Sequence, residues 1–288
     1  MIQLETQDLV VQIAQKGAEL SQLYDKRTGI DFLWDADPKY WAKHAPVLFP
    51  IVGTLKNNQF IFKGKHYSLP RHGFARDHSF ELIFHQENEA IFEWSATSQT
   101  LLSYPFFFRF RIHYLIKQNA LWVSYEVRNE GDEILYFSVG GHPAFKIPYI
   151  PNTRYEDYYL EFNLPETAPR WTLEDNLINI EPTPFLINQR TIPLSHSLFS
   201  KDAIVLKNIQ SSHVSLKSNT SNHGLSMQID QFPYLGIWAA ANAPFLCIEP
   251  WQGIADSINH NQNLLEKEGI VPLNSGSVWQ RQWSVTLF

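Results

Sequence analysis

The chain has 288 residues, with 23 Lys+Arg against 29 Asp+Glu and a formal net charge of −6. It carries no basic block or tail, which argues against nucleic acid as a partner. No apolar run approaches transmembrane length, and the start Met1-Ile2-Gln3-Leu4-Glu5 lacks the basic-then-apolar layout of a signal peptide, so no membrane partner is expected. Cys247 is the only cysteine; an internal disulfide is excluded, and a reducing, cytoplasmic location is expected.

In chain order, the dominant hydrophobic period is two. Residues 9–14 and 18–24 read as strands around Lys16-Gly17, and 59–62 with 65–69 as a hairpin over Lys63-Gly64. Two more strands are predicted at 80–84 and 90–96. In 106–117, Phe108, Phe110, Ile112, Tyr114 and Ile116 fall on one face, with Arg109, Arg111, His113 and Lys117 on the other. Leu121, Val123, Tyr125 and Val127 repeat the pattern after a turn at Gln118-Asn119. Asn129-Glu130-Gly131-Asp132 then turns the chain into a strand at 134–139. The proline-rich region 143–193 reads as long surface excursions around one strand at 158–162. Later strands are predicted at 203–206, 214–217, 225–229, 235–239, 245–249 and 278–287. Helical signals are confined to single turns at 100–104 and 263–268. Many short strands separated by turn residues predict an all-β sandwich or barrel, as one domain over 1–288.

Three segments place a titratable side chain beside Gly or Pro, next to a strand. The first is Arg71-His72-Gly73-Phe74-Ala75-Arg76-Asp77, the second Gly140-Gly141-His142-Pro143, the third Ile248-Glu249-Pro250-Trp251. Imidazole titrates nearest neutrality, which suits a general acid. A carboxylate ending an apolar run is tunable as a base, because burial raises its pKa while cations and hydrogen bonds lower it. The expectation is that His72, His142 and Glu249 meet in one cleft; turn histidines and a surfacing strand-end glutamate are the alternatives. Trp238, Trp251, Phe74 and Phe145 are candidates to stack on a sugar face, or core residues. Arg71, Arg76 and Lys146 are candidates for an anionic group such as phosphate, or solvated charges. Asp202 is a candidate for binding hydroxyls, or a loop residue. No Gly-x-Ser-x-Gly elbow, Walker loop or dinucleotide fingerprint is present. No cofactor or metal is implied by a spaced motif, although two histidines and a glutamate match a zinc triad in composition.

These segments, in this order and preceded by the 59–69 hairpin, resemble the aldose 1-epimerase (galactose mutarotase-like) family, and most nearly its divergent lactose-operon-associated branch. The resemblance covers nearly the whole chain. It implies a large antiparallel β-supersandwich, a sugar as ligand, and interconversion of α and β anomers by ring opening. It further implies His142 as general acid, Glu249 as general base, His72 as a substrate-binding histidine and Asp202 as a hydroxyl-binding aspartate. Thr54, in Gly53-Thr54-Leu55, stands where the best-known mutarotases carry a sugar-binding arginine, which leaves galactose or glucose specificity open. The His-Gly-Phe-Ala-Arg wording is shared with hexose-6-phosphate epimerases of the superfamily, so a sugar phosphate is also implied. A non-catalytic carbohydrate-binding or sensing protein on the same fold is the alternative.

Overall fold

The computed structural model describes residues 1–288, and its regular structure is almost wholly strand. Alternation sets the inside of the largest sheet. In Phe108–Lys117 the apolar positions Phe108, Phe110, Ile112, Tyr114 and Ile116 are buried. On the opposite face Arg111 lies across from Glu93 and Glu126 on the two neighbouring strands, with nitrogen–oxygen distances of 2.6 and 3.4 Å. Opposite charges facing across strands support this register. Gln118, with φ of 55°, takes the left-handed conformation that the tight turn to Ala120–Asn129 requires.

The sheet has nine strands, in the order Thr183–Pro193, Tyr158–Arg170, His213–Ser218, Leu225–Gln228, Val278–Leu287, Ala120–Asn129, Phe108–Lys117, Glu89–Ser95 and Glu81–Gln86. A second sheet runs Ile204–Lys207, Tyr234–Trp238, Phe245–Gln252, Val139–Gly141, Val47–Leu48, with Ala144–Lys146 also paired to Phe245–Gln252. The pairings in both are antiparallel. The two sheets pack face to face. Phe49, next to Val47–Leu48, stacks on Phe110 with ring centroids 4.5 Å apart and meets Phe108 edge-on at 5.0 Å. A cluster of 72 buried residues joins the layers. The fold is therefore the expected antiparallel β-sandwich.

The region 143–193 departs from its sequence reading. It holds two long strands, Tyr158–Arg170 and Thr183–Pro193, which pair with each other. The prolines misled because strand interiors usually exclude them. Here the pairing shifts register between Glu161 and Glu166 and twice more beyond, and Thr183–Pro193 is an edge strand, both settings that tolerate a missing N–H. The strand expected at 134–139 is split. Leu135–Phe137 pairs with Val271–Leu273, and Val139–Gly141 joins the second sheet beside Phe245–Gln252. That break sets His142 directly after a second-sheet strand, beside Phe245–Gln252. The helical turn at 100–104 belongs to a short α-helix, Ser98–Ser103, whose N-cap is Thr97. The turn at 263–268 shrinks to a 3₁₀ segment, Leu264–Glu266. No helix is long and apolar enough to cross a membrane.

Candidate active site

Phe245–Gln252 supplies one wall of the site. Its alternate residues Phe245, Cys247, Glu249 and Trp251 share a side of the strand. Glu249 and Trp251 line a cavity of about 290 Å³ together with Trp41, Arg71, His72, Arg76, His142, Ala203 and Trp238. A larger hollow of about 660 Å³, between Phe62, Tyr136 and Leu265, contains no histidine and no buried carboxylate. The smaller cavity is where the chemistry concentrates.

His142 is held as a slab. Its ring stacks on Trp41 at 4.9 Å and meets Trp238 edge-on at 5.8 Å. Trp41 is itself anchored by the Trp34 indole N–H, which donates to its carbonyl at 2.9 Å. His142 Nε2 then lies 3.2 Å from Glu249 Oε2. The approach is too oblique for a hydrogen bond, and Glu249 Oε2 and His142 Nδ1 are both buried without a partner. Burial drives His142 down to about 3. Burial also pushes the Glu249 carboxyl well above its usual range; the Arg71 charge and the facing Trp251 indole oppose this, and Asp202 adds to it. Each group is thus biased toward its neutral form.

His72 is fixed by a backbone clasp. Its own N–H donates to Gly53 O at 2.8 Å, and the Gly53 N–H donates to His72 Nδ1 at 3.1 Å. With Nδ1 accepting, the ring proton belongs on Nε2. Arg71 Nε lies 3.2 Å from that same Nε2. A neutral imidazole has one acceptor nitrogen, so Arg71 Nε and the Gly53 N–H compete for it, and the fixed backbone donor holds Nδ1. Burial, reinforced by His142, Arg71 and Arg76, keeps His72 well below its usual range and therefore neutral. The Gly53 loop is in turn tied down by a buried ion pair. Asp256 accepts from the Lys56 N–H at 2.9 Å and donates its own N–H to Thr54 O at 2.9 Å. Lys267 Nζ sits 2.9 Å from Asp256 Oδ1 and 2.6 Å from Ile254 O.

Both His72 and Gly73 have positive φ, 67° and 70°, and a Cβ on Gly73 would lie 2.3 Å from Phe49 O. Gly73→Ala therefore combines a strained dihedral with a backbone clash. It is expected to cost about 2 kcal/mol or more, read as a lower urea midpoint; an unchanged midpoint contradicts this packing.

The cavity thus gathers His72, His142, Glu249, Arg71, Arg76, Trp251 and Trp238. Arg76 is held at it by one backbone contact: its Nη2 donates to Arg71 O at 2.8 Å, and its Nε is buried without a hydrogen-bond partner. Phe74 does not line it; the ring packs into the core against Trp94 and Tyr104 at 5.4 and 6.2 Å. Asp202 does not line it either. Its carboxylate accepts the N–H of Ala203 at 2.7 Å, and Ala203 takes the wall position, so Asp202 acts on Glu249 only through its charge. Phe145 is fully buried and Lys146 lies off the cavity. Thr54 opens onto an adjoining polar cleft, shared with Arg71 and with Asn176, whose Oδ1 accepts from Arg71 Nη1 at 2.7 Å. The set of three possible metal donors also differs from the sequence reading: His142, Cys247 and Glu249 are close together, and His72 is outside that group. Trp41 was missed, since no motif surrounds it; only the high tryptophan content hinted at an aromatic wall.

Three comparisons bear on what this site belongs to. The family model for aldose 1-epimerase matches residues 1–264. Protein LacX of Lactococcus lactis subsp. lactis is 34% identical over 296 residues, covering 99% of each chain. Among solved structures, a galactose mutarotase related enzyme from Lactobacillus acidophilus superposes with a TM-score of 0.94 at 34% identity, covering 99% of this chain and 96% of that one. A galactose mutarotase-like protein from Lactobacillus casei does so with a TM-score of 0.94 at 29% identity, covering 100% of both. With a family model spanning most of its length and full-length relatives above the 30% level, the chain belongs to the aldose 1-epimerase family.

Proposed function

We propose that the protein interconverts the α and β anomers of an aldose, with Glu249 as base and His142 as acid. The observation that carries this reading is the 3.2 Å separation of His142 Nε2 and Glu249 Oε2 on the floor of a sugar-sized, tryptophan-walled cavity. Anomer exchange moves protons at two oxygens bonded to the same carbon, the C1 hydroxyl and the ring oxygen. An acid and a base side by side can reach one each. One proton shared by the pair first moves from Glu249 to His142; the carboxylate then takes the hydroxyl proton while the imidazolium protonates the ring oxygen, the C1–O5 bond breaks and an aldehyde forms. Rotation about C1–C2 exposes the other carbonyl face. Closure returns the proton from Glu249 to the C1 oxygen and the C5 hydroxyl proton to His142. The pair holds one proton throughout, so no water or covalent intermediate is needed. Hydrolysis of a glycosidic bond, by contrast, calls for two carboxylates spaced to admit a nucleophile. His72 Nε2–H is aimed to donate to a ring or hydroxyl oxygen.

Within this reading a phosphorylated aldose is favoured over a neutral one. Arg71 and Arg76 both line the cavity, and neither has a close carboxylate partner; Arg76 Nε stands 3.9 Å from Asp77. Guanidiniums pair well with phosphate. NMR exchange spectroscopy across free hexoses, pentoses and their 6-phosphates tests both points. Accelerated exchange is expected, fastest with a 6-phosphate. Saturable binding with no acceleration on any sugar supports a sensing protein instead.

The pH profile follows from the same geometry. Burial holds His142 at about 3, and burial with its cationic neighbours also holds His72 below its usual range. Neither ring gains charge near pH 6.5, so kcat/KM is expected to show no limb there as pH falls. An inflection near 6.5 contradicts the assigned environment of His142.

A further inference from the structure

We propose that His142, Cys247 and Glu249 form a three-donor site for a borderline divalent cation of the zinc type, and that filling it silences the acid–base pair. The ligand atoms of these three residues lie within 4.8 Å of one another, and all three residues are buried. Their convergence is a consequence of the strand: Cys247 and Glu249 are two residues apart on the same side of Phe245–Gln252, and His142 meets them from the neighbouring segment. A thiolate, an imidazole and a carboxylate are the donor set that zinc takes. Metal bonds of about 2.0–2.3 Å put tetrahedral ligand atoms roughly 3.5 Å apart, so the widest pair needs to close by about 1 Å. The His142–Glu249 pair, at 3.2 Å, needs no closure.

A second observation points to an occupant. Glu249 is 1% exposed, yet its buried Oε2, beside His142, has no hydrogen-bond partner. The fourth ligand position would open onto the cavity, where water or a sugar hydroxyl has access. Cys247 has no part in the proposed proton transfers. A cation takes the thiolate and the carboxylate as ligands, so binding displaces ligand protons to solvent. Binding therefore weakens as pH falls, and bound sugar competes with it.

Titration of the full chain with Co²⁺ alone, a spectroscopic stand-in for Zn²⁺, tests the site without reference to turnover. A single equivalent is expected to bind with a near-ultraviolet sulfur-to-metal absorption. Cys247→Ser and Cys247→Ala should each abolish that band and weaken binding at least about tenfold, since even outer partners of a metal ligand are worth that much. Absence of a sulfur band, or a spectrum unchanged in both variants, overturns the site. The silencing arm rests on the acid–base reading of Glu249 and His142. With a sugar that is turned over, Zn²⁺ should slow exchange by the wild type while Cys247→Ala resists it. Equal inhibition of both proteins overturns the silencing. A sulfur band in a protein that exchanges no sugar leaves the cation site standing and removes the acid–base reading instead.

Discussion

Glu249→Gln is expected to lower kcat for anomer exchange by about 10²–10⁴-fold, the usual worth of one general acid–base group, and to raise thermal stability at pH 7. The second effect follows from linkage. Burial raises the folded-state pKa of Glu249 above 4.5. Between these values the unfolded chain sheds the proton and the folded chain keeps it, so the carboxyl destabilises the fold increasingly as pH rises from 4.5 to the folded pKa, and fully above it. The amide cannot ionise, and it can still meet His142 Nε2 across the 3.2 Å contact. Calorimetry between pH 5 and 8 should show a Tm gap in favour of the variant that widens with pH. A gain of about 2 °C corresponds to about 1 kcal/mol in a domain of this size. A gap that narrows with pH, or one of opposite sign, contradicts the buried, penalised carboxylate.

Lys267→Met is expected to be the most destabilising single change described here, by about 3–5 kcal/mol, because it strands a buried charge. Asp256 and Lys267 are 2% and 3% exposed and lie 2.9 Å apart. Burial alone would raise the Asp256 carboxyl. The Lys267 charge, with hydrogen bonds from His260, Lys267 and the Lys56 backbone, overcomes it and brings the group to about 2. A depressed carboxyl contributes stability above its unfolded value of 3.8 and loses it as pH falls through about 2. The wild type should therefore lose this contribution between those values, while Lys267→Met has already lost it at pH 7. Urea unfolding of Lys267→Met and of Asp256→Asn/Lys267→Met separates the cause. Partial recovery in the double variant marks a stranded charge; none marks lost packing. Since Asp256 holds the loop whose Gly53 N–H sets the His72 tautomer, the single variant should also raise KM.

The fold was legible where alternation was clean. Phe108–Lys117 and its partner Ala120–Asn129 follow directly from inward aromatics and outward charges. It was illegible where prolines sit at bulges and on an edge, as in Tyr158–Arg170 and Thr183–Pro193, because the cue for a loop and the cue for an irregular strand are the same residue. The titratable core of the site was visible as three marked segments, and those segments do converge. What sequence withheld was direction. Phe74 and His72 are two residues apart, yet one faces the core and the other the cavity, because the chain passes through two left-handed residues between strands. Asp202 yields its wall position to Ala203 for a similar reason, having φ of 68° and a carboxylate turned back on its own loop. The Gly53 amide that orients His72 is a backbone contact across 19 residues, and no side-chain motif records such a contact.

On the proposed mechanism, Glu249 and His142 should behave as one unit when removed. Turnover by wild type, Glu249→Gln, His142→Asn and the double variant, measured by exchange NMR on the best sugar, tests this directly. Each single change is expected to reduce kcat by about 10²–10⁴-fold, and the double variant should be no slower than the worse single one. Near-normal turnover in either single variant, or losses that multiply in the double, contradicts a paired transfer at C1.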